Sequence, residues 1–362
     1  MDTHSKPRAT GNHAIGGDLS PVTAGTSPTP ERILQVGFGF WGAKTLLSAV
    51  ELGLFSALII EPLDAETLRS RLDLHPRGAR DFFDALVALG LLERSHGCYH
   101  NTPETDLFLD PAKPTYLGDL FAMLNARLYG FWGALTTALR TGQPQNESKT
   151  TGSTFFATLS ECSDAGPLRT FLQGMTGTNR LVAPALARQF PWERYQTFLD
   201  LGTAQGHLPV ALAQAHAHLR GVGLDLPAVQ PIFDDYVAAH GLSDRVRFVA
   251  ADFFVDPLPS AEVLIMGLIL EDWDLEQKRV LLAKAYAALP AGGALIVYEP
   301  MIDDARRANA FALLQSLNML IELPGGFVST GAEIRAWVRE AGFRDTALQQ
   351  IGDIWSMVTG VK

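Results

Sequence analysis

From Thr197 to the end of the chain, short apolar runs alternate with longer amphipathic ones. Phe198–Leu201 is apolar apart from Asp200, and it leads through Gly202 and Gly206 into Leu208, Val210, Ala211, Leu212 and Ala213. A short apolar run bounded by glycine reads as a buried strand, and the longer run behind it as a helix. The same alternation recurs. Residues 220–226 form a second strand ending in Asp225, and 246–254 a third carrying Asp252, Phe253 and Phe254. Residues 261–270 form a fourth that runs into Glu271-Asp272-Trp273, and 293–298 a fifth followed by Glu299. Helices are expected over 309–323 and 331–341, and a closing strand pair over 345–350 and 356–361. This order predicts an α/β fold with a mainly parallel sheet and helices on both faces.

The N-terminal part has a different rhythm. Phe38, Trp41, Leu46, Leu47, Val50, Leu52 and Leu54 mark one helix or a pair. Asp64 is placed to cap a helix over 65–72, and 77–89 is amphipathic, stopped by Gly90. Leu91–Arg94, Gly97 and Cys98–His100 suggest a hairpin. Helices followed by a hairpin are the order of a winged helix, which raises DNA binding. The candidate recognition helix, however, carries Asp81 and Asp84 beside Arg77 and Arg80. Residues 114–139 and 155–192 read as helical, with a polar loop over 141–154. The expected division is a tail over 1–30, a winged-helix-like domain over 31–110, a helical lid and linker over 111–195, and a catalytic domain over 196–362.

Composition narrows this further. A chain of 362 residues with 47% hydrophobic residues can bury more than one core. Its net charge of −10 speaks against a nucleic-acid partner. Cys98 and Cys162 make no disulfide framework and suit a reducing cytoplasm. The Gly-, Ser-, Thr- and Pro-rich start lacks large apolar residues and the pattern of a signal peptide. No stretch is expected to span a membrane; residues 43–60 come nearest, interrupted by Lys44, Glu51 and Gly53.

The candidate chemistry sits at the strand ends. Without a Cβ, Gly202 and Gly206 let the backbone approach a ligand. Asp225, ending the second strand, is placed to accept hydrogen bonds from ribose hydroxyls. Asp252 can take an adenine amino group, with Phe253 or Phe254 against the ring. The motifs Asp200-Leu201-Gly202-x-x-x-Gly206, Asp225-Leu226-Pro227, Asp252-Phe253-Phe254, Asp272-Trp273-Asp274, Pro290-x-Gly292-Gly293 and Asn318-Met319-Leu320 occur in that order. On these the chain, over roughly residues 29–362, resembles the Class I S-adenosylmethionine-dependent methyltransferases. It is most similar to the small-molecule O-methyltransferases, which include hydroxyindole and plant phenolic enzymes.

The resemblance implies a Rossmann-like seven-stranded sheet, its closing pair antiparallel, behind an N-terminal dimerisation domain that walls the partner's active site. It implies S-adenosylmethionine as cofactor, S-adenosylhomocysteine as product and no metal. The partners it implies are a small-molecule acceptor and a second copy of the chain, with no nucleic acid and no membrane. Asp200, Gly202, Gly206, Asp225, Leu226, Asp252, Phe253, Phe254 and Trp273 would hold the cofactor. Asn125, Arg127, Tyr129, Trp132, Met175, Asn318 and Met319 would line the acceptor pocket, although core packing also accounts for the aromatic residues and for Met175.

One position departs from the resemblance. Family members carry a catalytic histidine directly before the Asp-Trp pair, and here that residue is Glu271. His207 is expected to be a solvent-facing helix residue. Glu271 can itself act as base if burial raises its pKa, with Glu299 taking the supporting acid's place and the two sharing a proton. Alternatively the acceptor is a carbon, nitrogen or sulfur that needs no base, or the fold keeps its cofactor for another reaction. The expected function is methyl transfer to a small molecule, with oxygen as the leading acceptor atom. A regulator without catalysis is the contrasting class.

Overall fold

A computed structural model describes residues 28–153, 155–161 and 165–362. The expected tail up to residue 27, Thr154 and Cys162 lie outside them. The described residues divide into two compact units, one ending at Lys113 and the other running from Pro114 to Lys362.

The first unit has the helix–helix–helix–hairpin order that its sequence suggests. The helices before the hairpin are Glu31–Glu51, Leu54–Ala57, Ala65–Arg71 and Pro76–Ala88, and Pro103–Phe108 follows it. Asp64 caps the third, its Oδ1 accepting the N–H groups of Glu66 and Thr67, each at 3.0 Å. Strands β1 (Leu63–Asp64), β2 (Leu92–Ser95) and β3 (Cys98–Asn101) form a small antiparallel sheet in the order β1-β3-β2. Asp84 ties helix to hairpin, accepting from Tyr99 Oη at 2.7 Å and Arg94 Nη1 at 2.6 Å.

The Glu31–Glu51 helix corrects the expectation that no stretch could span a membrane. By length and composition it is apolar enough, with a mean hydropathy of 1.2 over an 18-residue window. Residues 33–43 carry no charge, and a count begun at Ala43 passes over them. The helix has no single apolar stripe, and Ile33, Val36, Phe40 and Trp41 are all more than half exposed.

In the second unit, helices come first, among them Gly118–Met123 and the long Ala165–Gln189. The segment expected to be a loop contains a short helix, Ser148–Thr151. The sheet follows: β4 (Thr197–Leu201), β5 (Arg220–Asp225), β6 (Val246–Ala250), β7 (Val263–Gly267), β8 (Ala294–Glu299), β9 (Arg344–Gln350) and β10 (Ser356–Val361). The spatial order is β6-β5-β4-β7-β8-β10-β9. The first five are mutually parallel, and β10 is antiparallel to both neighbours.

The alternation of side chains explains why these runs are apolar throughout. Leu199, Leu201, Leu264, Met266, Leu295 and Val297 join one core cluster with the Leu275–Ala288 and Gly331–Glu340 helices. Phe198, Val263, Ile265, Ile296 and Tyr298 join another with the Ala165–Gln189 and His207–Ala215 helices. Edge strand β9 touches the Gly331–Glu340 helix, where Arg335 donates to Thr346 O at 3.3 Å, yet it is mostly exposed and polar, which discourages edge pairing. The chain leaves β4 toward β5 on one side and returns to β7 on the other. The ends of β4 and β7 therefore flank the crevice where open α/β sheets bind ligands.

Candidate active site

The glycine loop begins where β4 ends. Gly202 and Gly206 adopt φ of +64° and +88°. A Cβ on Gly206 would lie 2.7 Å from the Phe233 ring, and one on Gly202 would run into Ile269 Cδ1. Both glycines are thus required by conformation and by space. The Ile269 contact also brings the turn after β7 against the loop after β4. Asp225 closes β5 beneath this loop, its Oδ2 accepting from Ala204 N–H and its Oδ1 from Leu226 N–H, both at 2.8 Å. Burial pushes its carboxyl up to about 6 against these two donors. Asp200 is buried in β4, and burial pushes it up to about 7.

The third acid is not on a strand. β6 stops at Ala250, and Asp252 lies in the following turn, where its Oδ1 accepts from Phe254 N–H at 2.8 Å. Phe253 and Phe254 meet Trp273 edge-on, with ring centroids at 5.9 and 4.6 Å. Trp273 Nε1 is buried and finds no acceptor among the described residues. Backbone donors, a free indole N–H, glycine-shaped space and Asp225 are a donor and acceptor set that fits an adenosyl ligand.

Glu271 corrects another expectation. The fourth strand ends at Gly267, before the 261–270 apolar run does. Leu268 turns the chain with φ +58°, its N–H donating to Tyr298 O at 3.0 Å, and Glu271 sits in the 3-10 turn Leu270–Asp272. Glu299 is the last residue of β8 and is fully buried. Glu271 Oε1 accepts from Gln315 Nε2 at 2.9 Å. Glu271 Oε2 and both oxygens of Glu299 have no hydrogen-bond partner among the described residues. Burial raises the Glu271 pKa and the nearby Glu299 charge adds to it, while Gln315 and Lys278 oppose. Burial also raises Glu299, with Lys278 and the Glu271 backbone N–H opposing. The result is a buried acid pair that holds protons at a pH where exposed carboxyls have lost them.

The expected acceptor residues part company. Trp132 and Asn318 come together, Trp132 Nε1 donating to Asn318 Oδ1 at 2.9 Å. Asn318 lies three residues from Gln315 on the Ala310–Glu322 helix, so one helix face links Trp132 to Glu271. Met319 is buried, and Met175 packs against two core clusters. Asn125 and Arg127 lie in a π-helical turn, Leu124–Leu128, and Tyr129 just after it is exposed. The Arg127 guanidinium is committed internally. It donates to both carboxyl oxygens of Glu147 at 2.6 and 3.0 Å, pairs with Glu322 at 3.4 Å, and stacks 4.3 Å over Phe155. Burial works to raise Glu147, but the Arg127 hydrogen bonds and charge, together with a backbone hydrogen bond, leave it below its usual range. Burial pushes Glu322 up to about 7.

His207 is corrected as well. The residue is half-buried, its Nδ1 lies 2.9 Å from Tyr236 Oη, and burial pushes its pKa down to about 4. Two residues escaped the sequence reading. Gln315 had a signal, its i,i+3 spacing to Asn318. Lys278 had another, a lysine in the buried stripe Lys278, Leu281, Leu282 and Ala285.

Residues 132–344 match the O-methyltransferase domain, and residues 34–111 match the O-methyltransferase dimerisation domain. The chain belongs to the O-methyltransferase family. This O-methyltransferase-family chain is 43% identical to the tetracenomycin polyketide synthesis 8-O-methyl transferase TcmO of Streptomyces glaucescens, over 92% of its own length and 97% of the relative's. It is 38% identical to the N,N-dimethyltransferase OxyT of Streptomyces rimosus, over 93% and 95% of the two chains. Human N-acetylserotonin methyltransferase in complex with SAM superposes with a TM-score of 0.84 at 26% identity, covering 94% and 99%. PigF with SAH does so with 0.81 at 28%, covering 92% and 100%. This O-methyltransferase-family protein is an S-adenosylmethionine-dependent methyltransferase, and its relatives modify oxygen or nitrogen.

Proposed function

We propose that the chain methylates a hydroxyl oxygen on a fused aromatic small molecule, with Glu271 as the proton acceptor in the position where relatives use histidine. The supporting observation is Glu271 itself. Its Oε1 is held by Gln315, while its Oε2 is buried without a partner in the crevice-side turn that touches the glycine loop. The relatives named for a polyketide 8-O-methyl transfer and a 3-hydroxy-5-methyl-1-naphthoate 3-O-methyl transfer support the aromatic hydroxyl class.

S-adenosylmethionine, when bound, supplies an electrophilic methyl with a neutral thioether as leaving group, so alignment dominates the chemistry. Asp225 would accept from the ribose hydroxyls, and Asp252, Phe253, Phe254 and Trp273 would hold the base. Gly202 and Gly206 admit the ligand, and Asp200 and Leu226 shape the floor. Glu271 Oε2 takes the hydroxyl proton as the oxygen gains its methyl. Glu299 shares that proton, so the pair carries it until it leaves to solvent. Asn318 and Met319, with Trp132, line the acceptor side, and Asn125, Tyr129 and Met175 complete it. Arg127 fixes the wall through Glu147 and Glu322 and does not touch the acceptor.

A nitrogen acceptor is the second reading, favoured by the relative named an N,N-dimethyltransferase. Incubation with hydroxylated and amino-substituted naphthoates, followed by product mass and location of the methyl by fragmentation, decides between them. Methyl on oxygen with release of S-adenosylhomocysteine is expected. Transfer confined to nitrogen would overturn the oxygen assignment.

The working form is a cytoplasmic homodimer built through the first unit, where the Glu31–Glu51 helix leaves a broad apolar surface uncovered. Trp41→Glu should shift the sedimenting species from dimer to monomer at micromolar concentration. A wild type that sediments as a monomer would contradict the proposal.

A further inference from the structure

Lys278 is fully buried, which an ammonium tolerates only where its charge is answered. Its Nζ donates to Phe327 O at 2.7 Å and Ser329 Oγ at 3.2 Å, and it lies 3.2 Å over the Phe327 ring. It makes no direct ion pair with a carboxylate among the described residues. The segment whose Phe327 carbonyl holds Nζ packs on the Glu271 turn: a Cβ on the adjacent Gly326 would lie 2.8 Å from Glu271 O and 3.0 Å from Asp272 O. The acids whose charge acts on the lysine come from three elements. Glu271 and Asp272 belong to the turn after β7, Glu299 to the end of β8, and Glu333 to the Gly331–Glu340 helix. Glu322, near Asp272, stands farther out and is held by Arg127.

Two functions fit such a lysine. As an anchor, it would tie the 327–329 segment to the Leu275–Ala288 helix through its two hydrogen bonds. As a charge, it would decide how many protons the buried acids keep. The hydrogen bonds alone do not call for a cation, since a neutral amide can donate to a carbonyl and a hydroxyl. Three carboxyl oxygens in the pair are buried without a well-formed hydrogen bond, so the Lys278 charge is the largest influence favouring ionised Glu299 and comes second to the Gln315 hydrogen bond for Glu271. Burial lowers the lysine's own pKa, and these same acids raise it again.

We propose that Lys278 is a positioning residue that keeps the Glu271–Glu299 pair at one proton, so that Glu271 is an available base near neutral pH. The proposal deepens the reading of Glu271 as proton acceptor. Without the lysine, the pair holds two protons and the base is lost. With it, one carboxyl stays ionised, and the proton taken from the acceptor makes the pair doubly protonated until it leaves to solvent.

The test is infrared titration of the protonated carboxyl band of the full chain with S-adenosylhomocysteine present. The pair's band is assigned by subtracting the spectrum of Glu271→Gln. In Lys278→Met the band should grow, and its midpoint should move up by about one pH unit or more, a tenfold change in proton affinity. Lys278→Gln, which keeps a donor and loses the charge, should shift it in the same direction. An unchanged midpoint in both variants would overturn the proposal. If Lys278→Met does not fold, Lys278→Gln, which keeps the donor to Phe327 O and Ser329 Oγ, carries the test alone, and an unmoved midpoint there would overturn the proposal. The band is read without methyl transfer, so a wrong acceptor assignment leaves this result standing.

Discussion

Asp225 and Glu299 both end a parallel strand in the same sheet, and the protein treats their oxygens in opposite ways. Each oxygen of Asp225 accepts a backbone N–H at 2.8 Å. Neither oxygen of Glu299 accepts a well-formed hydrogen bond among the described residues, with the Glu271 N–H as the one donor turned toward it, and the Glu271 carboxyl has one donor for two oxygens. Backbone donors favour a carboxylate that stays charged and fixed, with lone pairs to spare for ligand hydroxyls. Undersupplied, buried carboxyls favour keeping a proton. In the proposed reading, the β4–β5 side of the crevice holds the ligand and the β7–β8 side moves the proton.

The largest expected effect breaks the proton side. Glu271→Gln keeps the shape and removes the acceptor, and loss of a general base typically costs about 10²–10⁴-fold in rate. Single-turnover transfer should fall by that much, with S-adenosylhomocysteine affinity unchanged. Asp225→Ala breaks the other side in the complementary way. Hydrogen bonds to a charged group are worth about 1.5–3 kcal/mol, so affinity for S-adenosylhomocysteine by calorimetry should fall about tenfold or more. The acidic limb of the rate profile should stay where it was.

The smallest effect sharpens the comparison. Gln315→Leu removes the one donor that favours ionised Glu271. The base must then be freed at higher pH, so the acidic limb should move upward while the rate on the high-pH plateau changes little. A fall in plateau rate with an unmoved limb would mean that Gln315 serves the acceptor and not the acid.

Glu322 provides a control for pH effects outside the pair. Burial raises its pKa in the fold, so its protonated form adds stability that is whole below the unfolded value. That stability is lost as pH rises through about 7. Thermal unfolding of Glu322→Gln followed from pH 5 to 8 should show a flatter loss than the wild type. An identical slope would place that loss elsewhere.

The strands that carry the ligand side were legible because each is apolar on both faces and bounded by glycine or an acid. The Asp64 cap and the β2–β3 hairpin could be read for similarly local reasons. What escaped depends on partners distant in sequence. The apolar run 261–270 gives no sign that Leu268 breaks it at φ +58°. Arg127 looks available for a ligand until Glu147 and Glu322 are folded against it. His207 looks exposed until Tyr236 arrives from the next helix. Glu271 stood out through its departure from a motif, whereas the donor count of the acid pair exists only in the fold.

The pH dependence of single-turnover methyl transfer, wild type against Glu271→Gln, tests the account most directly. The wild type should show an acidic limb well above the ordinary carboxylate range, with a midpoint that belongs to the Glu271–Glu299 pair jointly. The variant should lose that limb together with most of its rate. A variant with wild-type rate and an unchanged profile would contradict the claim that this acid pair carries the proton.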